Sequence, residues 1–123
     1  MTFNQYIGMQ MLDQADLHQA FIDIDEHHKN PTGNINGGVI ISLADNLATG
    51  AANVYWRAKT GEDAFLVGVD LHAVMLTNQM GGRITATSTP VRVGRRIVVI
   101  RTVVSGNDDK VLAEITTTHV PLT

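Results

Sequence analysis

Residue types that can act on a carbonyl group lie at fixed spacing in one segment of this chain. Asn30 precedes Gly37 by seven residues, and Asp45 follows Gly37 by eight. Gly37 and Gly38 begin a predicted helix, and the unpaired N–H groups at a helix N-terminus stabilise negative charge on a carbonyl oxygen. Asp45 can serve as a base or as a nucleophile. The spacing therefore predicts a site that polarises a carbonyl and brings a carboxylate to it.

The same residues also have purely structural explanations. Asn36 is a favoured N-cap residue, and the pair Gly37-Gly38 fits a tight turn. Thr49 lies one helical turn after Asp45, where its hydroxyl can hold the carboxylate or an attacking water, or bond back to a helix carbonyl. The residue types alone leave both explanations open.

A long helix must position Asp45. Its pattern runs without interruption from residue 37 to about residue 55, followed by a charged turn at 57–63 that contains Gly61. Gly50 costs roughly 1 kcal/mol of helix propensity relative to Ala, and we expect close packing to offset it. A polar stripe occupies about 100° of the helix surface at 3.6 residues per turn. Its members are Ser42, Asp45, Asn46, Thr49 and Asn53.

The remaining pattern is mostly of strand type. Residues 4–12 are mildly helical, and residues 21–25 alternate apolar and acidic side chains, as a half-exposed strand does. Four further strands are predicted at 65–76, 83–93, 97–105 and 111–120. Their connections at 81–82, 93–95 and 106–110 are typical of hairpin turns. We therefore predict an α+β fold with an antiparallel sheet, as one domain over residues 1–123.

Composition excludes several classes of function. The chain has 123 residues, no cysteine and a net charge of -3, which removes disulfides and thiolate chemistry and gives no general attraction to nucleic acid. No basic-then-apolar leader begins it, and no apolar run approaches the roughly 20 residues of a membrane span. We expect a cytoplasmic protein that binds neither nucleic acid nor membrane.

Metal binding is not predicted. His27 and His28 are adjacent but lack a further ligand at suitable spacing, and His72 and His119 lie in strand patterns where packed or surface histidines are common.

Two further groups of residues have alternative roles. A predicted hairpin turn is flanked by Arg92, Arg95 and Arg96. These side chains are either solvated charges at a sheet edge or contacts to a phosphate. Three aromatic residues either line an acyl pocket or fill the core. They are Tyr55, Trp56 and Phe65.

These motifs resemble the hotdog-fold thioesterase superfamily, and in particular the acyl-CoA thioesterases of the phenylacetate-degradation type. The likeness spans nearly the whole chain, including a strand like residues 69–78 and a Gly-Arg pair like 94–95. One residue departs from the family pattern, because Asn36 stands where the family usually has His. Asparagine can donate a hydrogen bond or cap a helix, but it carries no proton near neutral pH. The motif residues that match in place are Asn30, Gly33, Gly37, Gly38 and Asp45.

The resemblance implies a five- or six-stranded antiparallel sheet around the helix, assembled as a dimer or a dimer of dimers. Its sites lie between subunits. The Gly37 amide would bind the thioester oxygen and Asn30 would place substrate or water, while Asp45 and Thr49 would come from the facing subunit. Arg95 and Arg96 would meet the nucleotide. No cofactor is implied.

The leading hypothesis is an enzyme, an acyl-CoA thioesterase acting on small or medium acyl groups, aromatic ones included. Asn36 and Gly38 complete its substrate-binding set. A hydratase on the same fold would need a histidine near the helix start, which Asn36 argues against. The alternative from another class is a non-catalytic hotdog protein that binds acyl-CoA or a related ligand.

Overall fold

The computed structural model describes residues 1–12 and 18–122. They form a six-stranded antiparallel sheet and one long helix, which confirms the predicted α+β class. Short 3-10 turns lie at Glu26–His28 and Asn107–Asp109. The elements in chain order are α1 (Phe3–Tyr6), β1 (Gln10–Leu12), β2 (His18–Asp23), α2 (Gly37–Thr60), β3 (Leu66–Met75), β4 (Arg83–Val93), β5 (Val98–Ser105) and β6 (Val111–Pro121).

Helix α2 begins and ends at residues suited to those positions. The Asn36 side chain accepts a hydrogen bond from the Gly38 N–H, as an N-cap does. Gly61 ends the helix in the left-handed conformation that glycine tolerates best. The predicted end near Tyr55 was wrong, because the helix continues to Thr60 and includes part of the charged segment.

The strands are ordered β1-β2-β4-β5-β6-β3 in the sheet. Hairpins join β4 to β5 and β5 to β6, as predicted. The predicted hairpin at Gly81-Gly82 was wrong, because β3 pairs with β6 and β4 pairs with β2. The connection therefore crosses from one edge of the sheet to its interior, and β3 is an edge strand.

The core lies between α2 and the concave face of the sheet. The alanines of α2 that face it, Ala44, Ala48, Ala51 and Ala52, are fully buried, so the sheet approaches the helix backbone closely. Gly50 does not share in this packing, since it is exposed and a side chain there would meet open space. The expectation of close packing at Gly50 was therefore wrong within the protomer.

The first segment also differs from its prediction. The mildly helical pattern of residues 4–12 folds into the four-residue helix α1 and then into β1. A helix this short buries none of its own residues, and an N-terminal capping box at Thr2 holds it. Tertiary pairing with β2 overrides helix propensity in the second half.

Candidate active site

A cavity of about 340 Å³ lies between the middle of α2 and the edge strand β3. Asp45 and Thr49 face it from the helix, and the strand contributes four consecutive residues, 68–71. Asn53 keeps the two elements together, because its Oδ1 accepts from the Leu66 N–H at 2.8 Å and its Nδ2 donates to the Leu66 carbonyl at 3.3 Å. The polar stripe thus serves both to shape the cavity and to anchor its wall.

Asp45 supplies the carboxylate of this cavity. Its side chain is half-buried, and neither oxygen has a hydrogen-bond or ion-pair partner among residues 1–12 and 18–122. The Thr49 hydroxyl donates to the Asp45 backbone carbonyl at 2.9 Å, not to the carboxylate. Of the two roles that the sequence allowed for Thr49, the structure has the back-bonded one. The Asp45 oxygens therefore face a space that a ligand or water can enter.

Gly68 leaves room beside that carboxylate. A side chain at Gly68 would begin 3.8 Å from Asp45 Oδ1 and 3.7 Å from His119 Nδ1. Gly68 pairs with His119 across β3 and β6, and a register shift follows between Gly68 and Asp70. Asp45 and His119 therefore approach the same point from the helix and from the sheet.

His119 is a buried histidine with one unsatisfied nitrogen. The residue is fully buried; its Nε2 lies 2.8 Å from Thr117 Oγ1, and its Nδ1 has no hydrogen-bond partner in the part of the chain that the structure describes. Burial lowers the pKa of His119, and the negative charge of Asp45 opposes that shift. The ring is therefore neutral at pH 7, with one nitrogen directed to the Asp45 side.

The N-terminus of α2 forms a second polar centre. Asn36 Oδ1 occupies the Gly38 N–H at 2.8 Å, whereas the Gly37 N–H has no hydrogen-bond partner within the described chain. The Met75 methyl would lie 3.6 Å from a side chain at Gly37, so the far end of β3 reaches this point. Eight residues of helix separate Gly37 from Asp45, which is about 12 Å. The structure does not bring the two groups together within one protomer.

Asn30 belongs to the loop before α2. Its Oδ1 accepts from the Thr32 N–H at 2.9 Å and from the Thr32 hydroxyl at 2.6 Å, and its backbone pairs with Asn34 and Gly33. This tight local turn gives Gly33 its positive φ of 88°. Asn30 does not line the Asp45 cavity.

Arg95 and Arg96 lie on the turn between β4 and β5, at the other end of α2. The Trp56 indole donates to the Arg95 carbonyl at 2.9 Å, and this contact fixes the turn against the helix. The Arg95 side chain is 75% exposed and lies 3.5 Å from a Glu62 carboxylate oxygen, and Arg96 is exposed. Both arginine side chains are therefore exposed to a ligand outside the cavity.

The aromatic residues divide between core and surface. Trp56 is buried in the core, Tyr55 packs edge-on against His18, and Phe65 is 53% exposed. None of them lines the Asp45 cavity. A second cavity, of about 260 Å³, lies beside the start of α2 and is lined by other aromatic residues, Phe3 and Tyr6.

Two residues at the Asp45 cavity were missed by sequence reasoning. Asp70 lines it from β3, and His119 lies behind it. Strand periodicity predicts that His119 faces inward, but it does not reveal that a helix residue 74 positions earlier faces it. Glycine at position 68, opposite the histidine, is the one available signal, since glycine inside a strand marks a close approach.

Within the described residues, no cluster of three or more His, Asp or Glu side chains is arranged to hold a metal ion. No described helix has both the length and the apolar character needed to cross a bilayer.

Comparison with known proteins gives consistent matches. The family model described as "Thioesterase superfamily" matches residues 32–113. A protein named "Putative esterase" from Deinococcus radiodurans is 32% identical over 116 residues, 92% of this chain and 74% of that protein. Another of that name, from Haemophilus influenzae, is 31% identical over 81 residues, 66% of this chain and 56% of that protein. The crystal structure of a mutant thioesterase from Pseudomonas aeruginosa is similar with a TM-score of 0.85 at 26% identity, covering 98% of this chain and 87% of that one.

Proposed function

Because this chain belongs to the thioesterase superfamily and has its hotdog fold, we propose that it is a cytoplasmic acyl-CoA thioesterase. It hydrolyses small or medium acyl groups, aromatic ones included, to the free acid and coenzyme A. The observation that carries this proposal is the Asp45 carboxylate, which is unpaired and faces a cavity large enough for water and a thioester.

In the proposed reaction Asp45 acts as a general base. Its carboxylate takes a proton from water, and the water oxygen forms a bond to the thioester carbon. The carbon–sulfur bond then breaks, and the proton passes to the departing sulfur. A well-placed base of this kind contributes roughly 10²- to 10⁴-fold. The Gly37 N–H stabilises the oxyanion, because it is unpaired and lies at the positive end of α2.

The proposed site is shared between two copies of the chain. The separation of about 12 Å along α2 is too great for Gly37 and Asp45 of one protomer to act on the same carbonyl. A second copy supplies the missing half, its Gly37 amide, with Asn30 on the loop that leads to that helix. An enzyme with this site is a dimer or a dimer of dimers.

The edge strand β3 is the proposed contact between copies. Its backbone is unpaired on one side, and apolar side chains are exposed along most of its length. Long apolar edges of this kind associate with other strands. The exposed apolar residues of the strand are Val69, Leu71, Val74 and Met75, and Leu76 follows directly after it. Sedimentation equilibrium at micromolar concentration should give a dimer or tetramer, and a monomer would contradict the shared site.

Arg95 and Arg96 are proposed to bind the nucleotide phosphates. Trp56, which holds their turn, lies eleven residues after Asp45 on α2, about 16 Å further along. An extended pantetheine arm can bridge a distance of this order. Their exposure and charge support the contact.

Thiol release from a panel of acyl-CoA esters tests the activity, with chains from short to long and from aliphatic to aromatic. Matched oxygen esters in the same panel separate a thioesterase from a general esterase. We expect hydrolysis of thioesters, lost in Asp45→Asn and kept in Asp108→Asn, which makes the same charge change in a distant turn where asparagine tolerates the positive φ. Binding of acyl-CoA without turnover, in a folded oligomer, would instead identify a ligand-binding hotdog protein.

A further inference from the structure

His119 and Asp45 face one another across the space that Gly68 leaves open. A side chain at Gly68 would begin 3.7 Å from His119 Nδ1 and 3.8 Å from Asp45 Oδ1. The separation of these two atoms is therefore no greater than the sum of the two distances. Neither atom has a hydrogen-bond partner among residues 1–12 and 18–122, and the histidine is fully buried. A buried polar nitrogen without a partner is costly to a fold, which suggests that a functional state satisfies it.

The proton on the His119 ring can be located from its other contact. Thr117 Oγ1 has His119 Nε2 as its one hydrogen-bond partner within the described residues, and Thr117 is buried. If the hydroxyl donates to Nε2, both groups are satisfied and the neutral ring carries its proton on Nδ1. The opposite arrangement leaves the hydroxyl proton without an acceptor and directs a nitrogen lone pair at a carboxylate. The Nδ1–H form is therefore favoured.

We propose that His119 is the positioning residue of the site, and that its Nδ1–H donates a hydrogen bond to the Asp45 carboxylate beside Gly68. This inference rests on the proposed role of Asp45. The bond stabilises the ionised carboxylate, holds it toward the cavity and gives the buried nitrogen its partner. Contacts of this kind are often long before substrate binds and shorten in the complex.

Few other charged groups among the described residues lie near His119 and Asp45. Asp70 lines the same cavity from β3 and is exposed, and it is the second carboxylate that faces Asp45. On α2 the nearest residues of the same face are Ser42 and Thr49, which carry no charge, and β5 places Val98 beside His119. Among the described residues, the titration of His119 is therefore governed by burial and by Asp45.

Nuclear magnetic resonance of the His119 ring tests the pair without any need for turnover. Long-range ¹⁵N–¹H correlation spectra of the full-length protein should show a neutral ring protonated on Nδ1 at pH 7. In Asp45→Asn the pKa of His119 should fall further, because the carboxylate charge that raises it is gone. Asp108→Asn, with the same charge change at a distance, should leave it unchanged. An Nε2-protonated ring, or the same His119 pKa with and without the Asp45 charge, would overturn the inference.

Kinetics give the second readout. His119→Leu should lower kcat/KM about tenfold and move the acid limb of its pH profile to higher pH, since the ionised carboxylate has lost a donor. His119→Asn, which can place an N–H near the Nδ1 position, should recover much of both effects. Equal loss in the two variants, with an unmoved acid limb, would mean a packing role only. If the wild type turns over no thioester, the proposed function fails, and the ring spectra still decide whether His119 and Asp45 interact.

Discussion

The two buried histidines of this fold occupy contrasting environments. His28 Nδ1 accepts from the Asp25 N–H at 2.8 Å, and its Nε2 lies 2.7 Å from the Ile7 carbonyl. Both nitrogens are satisfied by backbone, which ties α1 to the loop before α2. His119 has one nitrogen bound to Thr117 and the other free beside Asp45. The first arrangement stabilises the fold, and the second leaves bonding capacity for a ligand or a neighbouring carboxylate.

Burial alone therefore does not identify a functional histidine. The informative property is the unused nitrogen, together with a titratable neighbour and a cavity. His28 also borders a cavity, but its hydrogen bonds are complete. Substitution of His28 should therefore affect mainly the stability of the fold, whereas substitution of His119 should also affect the chemistry.

The largest effect on stability is expected at His28. His28→Ala removes the partners of the Asp25 N–H and of the buried Ile7 carbonyl, and it leaves a void. An unsatisfied buried group costs about 1–3 kcal/mol and the void adds to this, so we expect a loss of about 3 kcal/mol. Urea denaturation measures this loss. At a temperature where the variant is folded, its kcat should stay near the wild-type value. A stable His28→Ala protein with lost activity would reverse the assignment of the two histidines.

A smaller effect concerns the pH dependence of stability. Burial lowers the pKa of His119 in the folded protein, so the unfolded chain binds this proton more readily. Its contribution to stability is complete above the unfolded pKa of about 6.5 and is lost as pH falls toward the folded pKa, by at most about 1.4 kcal/mol per pH unit.

Denaturation at pH 7.5 and at pH 5.5 measures this contribution. The decrease in unfolding free energy should be smaller in His119→Leu than in the wild type, because the other four histidines are common to both proteins. An identical decrease would show that His119 has the same pKa in the folded and unfolded chain, which would contradict the lowering of its pKa by burial.

The smallest effect is expected at Gly68. The added methyl of Gly68→Ala would make ordinary contacts at 3.7 and 3.8 Å, so the fold should be kept. It would nevertheless occupy the space between His119 and Asp45, and we expect kcat to fall several-fold with little change in KM. Gly50→Ala is the matched control, since a side chain there meets open space within the protomer. Equal activity of the two variants would show that the space beside Gly68 has no role.

Much of the fold could be predicted from the sequence. Apolar periodicity gave the long helix and four later strands to within a few residues, because α2 and the sheet bury continuous faces. The end of α2 was misplaced because a charged segment resembles a turn, although Gly61 marks the true cap. The order of the strands could not be predicted from local patterns, because the pairing of β3 with β6 joins residues that are far apart in the chain.

The candidate site was predictable in part. The spacing of Gly37 and Asp45 identified a helix N-terminus and a carboxylate, and the structure shows the first unpaired and the second facing a cavity. His119 was not identified, because its role depends on a tertiary contact with Asp45 across the gap at Gly68. Gly68 inside a strand pattern indicates a close approach at that point, but it does not identify Asp45 as the neighbour.

A thioesterase site built from Gly37 of one copy and Asp45 of another can be tested by complementation between two inactive variants. Asp45→Asn removes the base. Gly37→Pro removes the amide N–H, at a first helical position that proline tolerates and after Asn36, whose φ of -62° and ψ of 127° suit a following proline.

The two variants are mixed under exchange conditions and assayed for thiol release. In a mixed dimer one site keeps both groups and the other keeps neither, so random exchange should restore about a quarter of wild-type activity. Each variant alone should remain inactive. A mixture as inactive as its components, with exchange verified by mass spectrometry, would contradict a site shared between copies.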